Sequence, residues 1–236
     1  MIRYVCYWND KLKHFNMGDD EGSLLTGAPT KLVVVDCPQE VSDMVTGMNN
    51  GLNKPNHDGI IVGEFMPEYL GVLKGQWQHF LTFLVALTKL PTNTTNKWII
   101  CWQSAFLTPR FAKLYKQFFK RELLDFVFIE SYWPWKSRFM LWIFFKINYL
   151  IAKRYGIHDR IVYGLGINQG EGDWIHGPDV WSKYFKWAND ERTLRAQLGY
   201  IKKHCPGIAG IAFYNPKVND DYWVVFDNIT YEYFPD

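Results

Sequence analysis

The side chains of this chain best suited to chemistry stand where its apolar runs end. Trp8, Asn9 and Asp10 close the first run, Asp36 the second, and Glu64 stands near the end of the third. Trp102 and Gln103 close the fourth run, and Glu130, Tyr132 and Trp133 the fifth. Asn168 and Gln169 follow the sixth, and Tyr214 and Asn215 the seventh. The set is rich in carboxylates, amides and aromatic rings and nearly free of Lys, Arg, His and Cys. Carboxylates and amides hydrogen-bond hydroxyl groups, and aromatic faces stack on sugar rings. Two carboxyl groups flanking a glycosidic bond suffice for its acid–base hydrolysis. Glu64 and Glu130 are therefore the expected catalytic pair. Trp8, Asp36, Trp102, Tyr132, Trp133, Asn168 and Tyr214 are the expected ligand-binding residues, with Trp174 a further candidate ring.

Each assignment has a plainer competitor. Glu64 interrupts the run Gly59-Ile60-Ile61-Val62-Gly63, so it faces a polar pocket, is paired, or starts a solvated loop. Glu130 sits inside Phe126-Val127-Phe128-Ile129-Glu130-Ser131-Tyr132-Trp133. Two-residue alternation puts Phe128, Glu130 and Tyr132 on one face. An ion pair with a cation such as Arg138 is the structural alternative. If Glu130 lies among Phe128, Tyr132 and Trp133, burial would raise its pKa and suit it to act as the acid. Asp36 precedes Pro38 and could equally serve a turn or helix cap.

Other chemistries find little support. Lys plus Arg (26) nearly balance Asp plus Glu (24), and a net charge of +2 makes no case for nucleic-acid binding. The six histidines are scattered, without H-x-H or H-x-x-x-H spacing. Cys6, Cys37, Cys101 and Cys205 form no C-x-x-C pair, so no metal site, cofactor or dithiol motif is expected. Three of them lie in apolar runs and are read as free, small hydrophobes. No G-x-S-x-G motif supports serine chemistry. The longest apolar stretch, Phe139 to Ala152, is broken by Lys146 and Asn148 and is too short to span a bilayer. Met1 to Val5 reads as a strand, which fits a cytoplasmic protein or the mature form of a secreted one.

The elements that must position these residues alternate regularly. Strands are expected at Ile2–Trp8, Lys31–Asp36, Gly59–Phe65, Lys97–Gln103, Asp125–Tyr132, Arg160–Gly166 and Gly207–Tyr214. Helices are expected at Gln39–Leu52, Glu68–Leu90, Pro109–Leu123, Ser137–Tyr155 and Pro178–His204, the last broken near Asn189-Asp190. Near-continuous apolar strands suit a parallel sheet covered on both faces. The 236 residues fit one domain, a compact (β/α)8 barrel with one strand missing or irregular. The eighth strand is either absent between Gln39 and Asp58 or supplied by Tyr222–Asp227. A flavodoxin-like sheet competes, but Trp8-Asn9-Asp10-Lys11 is not a glycine-rich phosphate loop.

Four of these strands resemble the chitinase-like family 18 glycoside hydrolases in chain order. His57-Asp58-Gly59-Ile60-Ile61-Val62-Gly63-Glu64-Phe65-Met66-Pro67 resembles that family's D-G-hydrophobic strand closing on E-aromatic-P. Leu124 to Tyr132 resembles its L-D-F strand, Arg160 to Gly166 its K-hydrophobic-G strand, and Gly207 to Tyr214 its closing G-hydrophobic-G-G strand. The resemblance implies a barrel and a carbohydrate ligand. The family's acidic motif, D-x-x-D-x-D-x-E, is not preserved. Asp58 fits its first position, Ile61 and Gly63 replace the next two aspartates, and Phe65 falls at the acid position, with Glu64 one residue early. A one-residue shift in a strand changes the face of a side chain, unless a bulge at Gly63 restores it. Tyr132 matches the tyrosine of the family's M-x-Y-D, and Trp133 replaces its aspartate.

The leading expectation is a divergent glycoside hydrolase that uses another carboxylate pair on an oligosaccharide or polysaccharide. The alternatives are an inactive chitinase-like lectin, and an interaction protein built on a barrel scaffold. For the last, the helix Ser137–Tyr155 is pertinent, because Phe139, Trp142, Phe144, Phe145 and Tyr149 nearly encircle it. A helix apolar all round is buried or meets a partner. No nucleic acid or membrane partner is expected.

Overall fold

The computed structural model describes residues 2–6, 32–35, 40–55, 57–65, 74–91, 97–103, 106–131, 137–166, 191–214, 228–229 and 232–234. Their elements alternate as the apolar pattern requires. The strands are β1 (Ile2–Cys6), β2 (Leu32–Val35), β3 (Gly59–Phe65), β4 (Trp98–Gln103), β5 (Phe126–Glu130), β6 (Ile161–Gly166) and β7 (Gly210–Tyr214). The helices are α1 (Val41–Leu52), α2 (Lys74–Lys89), α3 (Pro109–Lys120), α4 (Arg138–Leu141), α5 (Asn148–Tyr155) and α6 (Glu191–His204).

Local chemistry accounts for the boundaries. Thr108 caps α3 by accepting the Phe111 amide at 3.3 Å, and Pro109 supplies a preset first turn. Ser137 caps α4 through the Met140 amide. Gly156, at φ 68°, ends α5 in the left-handed conformation that glycine adopts without penalty. In α6 the buried positions Leu194, Leu198 and Ile201 recur at helical spacing.

All strand pairs are parallel, in the order β1-β7-β6-β5-β4-β3-β2. From β2 to β7 neighbours in sequence are neighbours in space, and the first strand pairs with the last; β1 and β2 stand at the two ends of the order among the described residues. A doubly wound sheet would place β1 in its interior and reverse direction there. This order is that of a ring read from β1 to β2, and the fold is an α/β barrel of the (β/α)8 class. Of the two places named for an eighth strand, the stretch from Gln39 to Asp58 holds α1 and no strand among its described residues. Tyr222–Asp227 lies outside the described residues.

The two faces of the strands do different work. Ile60, Val62, Ile99, Cys101, Val127, Ile129, Ile161, Tyr163 and Leu165 pack outward against the helices, with Met44, Phe80, Phe83, Tyr115 and Leu198. Ile61, Ile100, Trp102, Phe126, Phe128 and Val162 are equally buried but alternate with that set, and so face the barrel interior. Burying side chains of this size contributes about 1.5–3 kcal/mol each relative to exposure.

Two irregularities depart from the expected pattern. The helix expected over Ser137–Tyr155 forms, but its middle, Trp142–Ile147, is π-helical. Buried Asn148 holds that stretch: its Nδ2 donates to the Phe144 carbonyl at 2.7 Å, and its Oδ1 accepts the Leu107 amide at 2.8 Å. Tyr163 Oη donates to the Phe145 carbonyl at 2.7 Å, a second draw on the same turn. The other irregularity is in β3. Val62 pairs with Cys101, but Phe65 pairs with Gln103, so β3 carries one extra residue there. Gly63 has φ 152°, and a Cβ on it would stand 2.6 Å from the Trp102 carbonyl oxygen. Only glycine lets the two backbones approach this closely.

Two expectations follow. Gly63→Ala should cost roughly 2–4 kcal/mol of stability, from backbone strain plus the clash. Urea unfolding would check this, and a cost below about 0.5 kcal/mol would show that β3 relaxes freely. Cys101 and Cys205 are buried thiols outside any disulfide, and burial pushes the Cys205 thiol up to about 12. At pH 8 Cys205 should therefore resist iodoacetamide in the native protein and react once unfolded, as read by peptide mass spectrometry.

Candidate active site

The C-terminal ends of barrel strands are where such folds bind ligands. The best-defined group there is Glu130, the last residue of β5, which is only partly buried. Its Oε2 accepts the Trp102 indole N–H at 3.1 Å. Trp102 is 5% exposed and stands edge-on to Phe128, with ring centroids 5.9 Å apart. The indole therefore reaches from β4 across to β5 and holds the carboxylate from the barrel interior. A neutral donor of this kind positions a carboxylate without cancelling its charge.

Phe128 has room to sit this way because β6 carries Gly164. A Cβ on Gly164 would lie 2.0 Å from the end of the Phe128 ring. In register, Glu130 pairs with Gly164, Gly164 with Ala212, and Ala212 with Tyr4. Small residues thus stand at two positions of the row that holds Glu130.

The bulge of β3 meets the other side of Trp102. Since Val62 pairs with Cys101 and Phe65 with Gln103, Gly63 and Glu64 together stand opposite Trp102. Val62 and Phe65 both face the helices, although residues three apart in a regular strand face opposite ways. Phe65, which residue counting puts at the family's acid position, is fully buried against Phe80 and Phe83, with centroids at 5.3 and 5.1 Å. It is packing, not chemistry.

The neighbouring Gln103 locks this arrangement from the helix side. It is fully buried, and its Nε2 donates to the Phe65 carbonyl at 2.8 Å. Its Oε1 accepts from Tyr115 Oη at 2.7 Å, and the same hydroxyl lies 3.3 Å from Cys101 Sγ. Burial first, and then the Cys101 neighbour, push the Tyr115 phenol well above its ordinary value, so it stays a neutral donor. Adjacent residues of β4 therefore hold the two strands that carry the glutamates: Trp102 holds Glu130 of β5, and Gln103 clamps β3 just beyond Glu64.

Of the residues singled out from sequence, the structure thus brings Trp102 and Glu130 into contact and sets Glu64 opposite Trp102 in register. Tyr214 ends β7, paired with Cys6 and Gly166. Trp8, Asp36, Tyr132, Trp133, Asn168 and Trp174 lie outside the described residues. Sequence reasoning assigns no role to Gln103, Tyr115 or Gly164. Glycine inside a strand is the available signal for Gly164. For Gln103 it is an amide closing an apolar run. Among the described residues no cluster of three His, Cys, Asp or Glu side chains could hold a metal, and no helix is long and apolar enough to cross a membrane.

No protein-family profile matches the chain, and no curated protein matches it in sequence. Solved structures do. The chain is similar to an apo endo-β-N-acetylglucosaminidase from Cordyceps militaris, with 15% identity over 86% of this chain and 70% of that one, at a TM-score of 0.50. A doubly substituted variant of that enzyme, in complex with fucosyl-N-acetylglucosamine-Asn, matches with 15% identity, the same coverage and a TM-score of 0.49. The PgaB (BpsB) glycoside hydrolase domain from Bordetella bronchiseptica matches with 13% identity over 94% of this chain and 69% of that one, at a TM-score of 0.46. At such identities the likeness is one of fold, and the first of these supports the barrel assignment.

Gln103→Leu should cost about 2–4 kcal/mol, because in an apolar layer it removes the donor to the Phe65 carbonyl and the acceptor of the Tyr115 hydroxyl, leaving that hydroxyl to the weaker Cys101 sulfur. Tyr115→Phe removes only one of the two bonds and should cost less. Chemical denaturation of both variants checks the order, and a reversed order would mean that the clamp is not centred on Gln103.

Proposed function

We propose that the protein is a carbohydrate-active enzyme, a glycoside hydrolase whose carboxylate pair is Glu64 and Glu130. The observation that supports this most is the Glu130 carboxylate, partly buried at the C-terminal end of β5 and held by the Trp102 indole. An acidic group kept in the barrel mouth and oriented by a neutral donor suits proton transfer to or from a substrate oxygen. Glu64 is the second member by register. It stands one strand from Trp102, and Trp102 is one strand from Phe128, two residues before Glu130. Strand spacing puts the two glutamate Cα atoms about 12 Å apart or less. A backbone separation of that size is compatible with the carboxyl separations of about 5–9.5 Å that glycosidases use.

The ligand is an oligosaccharide or polysaccharide. Trp8, Asp36, Tyr132, Trp133, Asn168 and Tyr214 belong to the proposed binding set, and Trp102 acts in it by orienting Glu130. The fold shared with an endo-β-N-acetylglucosaminidase makes glycans containing N-acetylglucosamine the first panel to assay.

Glu64→Gln and Glu130→Gln should each lower turnover by roughly 10²–10⁴-fold, the usual worth of a positioned acid or base, while leaving glycan binding in place. Turnover and binding measured in parallel decide the matter. If neither variant slows hydrolysis, the pair is wrong. If glycans bind but no preparation cleaves any of them, the protein is a sugar-binding relative without activity. If none binds, the carbohydrate reading fails altogether.

A further inference from the structure

Away from the barrel mouth, α4, α5 and the π-helical stretch between them form an open groove with α6, about 430 Å3 in volume. Its apolar walls are Phe139, Trp142, Leu150 and Tyr200. Phe139 is 66% exposed, Trp142 45% and Leu150 47%, and the Phe139 and Trp142 rings stack at 6.4 Å. These are three of the four large apolar side chains that stand exposed among the described residues, the fourth being Val85. Contiguous exposed apolar surface of this kind marks an interaction site more often than chance.

The charged lining is of one sign: Arg138 and Lys146 line the groove beside the His204 imidazole, and none of its lining residues among the described ones is acidic. The last turn of α6 also carries Lys202 and Lys203, and that of α5 carries Lys153 and Arg154. The His204 imidazole registers this crowding: partial desolvation and then Lys203, Lys146 and Arg138 lower its pKa. Lys146 Nζ donates to the His204 carbonyl and lies 4.7 Å from the Tyr149 ring, so its position is fixed while its charge is not cancelled by a carboxylate there.

The π-helical stretch explains how one helix presents a straight wall. Arg138, Trp142, Lys146 and Leu150 are four residues apart. In a regular α-helix each such step overshoots a turn by about 40°, so the four would spiral away by about 120°. Trp142–Ile147 is wound more widely, and steps within it fall short of a turn. The undershoot cancels much of the drift and keeps the four residues along one line of the groove. Such π segments recur where a helix serves a function.

We infer that this groove docks an acidic peptide segment of a partner protein, one that carries large apolar side chains for the Phe139–Trp142 wall and carboxylates for Arg138 and Lys146. The occupant follows from charge complementarity and from shape. Residues of two helices line the groove, which suits a single segment lying in it, as in helix-in-groove recognition. A bilayer surface would favour a protruding apolar tip over a channel.

The test uses the whole protein and three labelled amphipathic peptides with the same Leu and Phe face, whose polar face is Glu, Gln or Lys. Fluorescence anisotropy should give the Glu peptide a Kd of tens of micromolar or tighter, and the Gln peptide at least about tenfold weaker binding. Arg138→Glu and Trp142→Ala, both at exposed positions, should each weaken the Glu peptide about tenfold without lowering Tm. The proposal is overturned if the Glu peptide fails to bind at about 1 mM, or if all three peptides bind alike. It is also overturned if the parent, but not Trp142→Ala, sediments with phosphatidylserine vesicles while ignoring the Glu peptide. Equally, a dimer in solution that Phe139→Asp dissociates would assign the groove to a second copy of the chain.

Discussion

The close approach of two backbones, Gly63 of β3 and Trp102 of β4, is the constraint on which the mouth of this barrel depends. It accommodates an extra residue in β3 and sets Glu64 beside Trp102. The two faces of β4 then divide the labour. Trp102 turns inward and holds Glu130, while Gln103 turns outward and clamps β3 through the Phe65 carbonyl. A buried amide with both ends satisfied is a costly thing to disturb, so the bulge is fixed as firmly as the core around it.

Much of this is legible in the amino-acid sequence. The seven apolar runs form seven parallel strands, and the helices expected at Pro109–Leu123 and Ser137–Tyr155 are bounded by Thr108 and Gly156 as cap residues. Glu130 stands out because a carboxylate at the end of an apolar run needs a reason. Its partner does not stand out. Trp102 pairs in register with Phe128 and not with Glu130, and only an indole's length bridges the two residues along β5. That is a property of side-chain reach, which spacing along one strand cannot report. The bulge is likewise hidden, since the run from Gly59 to Phe65 permits either register.

The abundance of aromatic residues resolves into separate uses. Phe65, Phe80, Phe83, Phe111 and Tyr115 form a ring cluster between the sheet and α2 and α3, with Phe80 and Phe111 centroids 4.4 Å apart. Trp102 and Phe128 fill the barrel interior below the carboxylate. Around the helix expected over Ser137–Tyr155, Phe144, Phe145 and Tyr149 are buried, whereas Phe139 and Trp142 look outward. Apolarity on every side of that helix has two readings, burial or a partner, and its two faces divide between them.

The bulge also bears on how relatives of this chain are sought. A sequence motif is written in residues, but a strand is read in alternating faces, and one inserted residue puts the two counts out of step. Counting residue by residue through β3 would put Phe65 on the inward face, whereas the structure packs it against the helices. A comparison indexed by strand partner would skip one place at Gly63 and keep Val62 and Phe65 on the layer they share. The layering of this strand is stored in its pairing, a coordinate that linear counting does not carry.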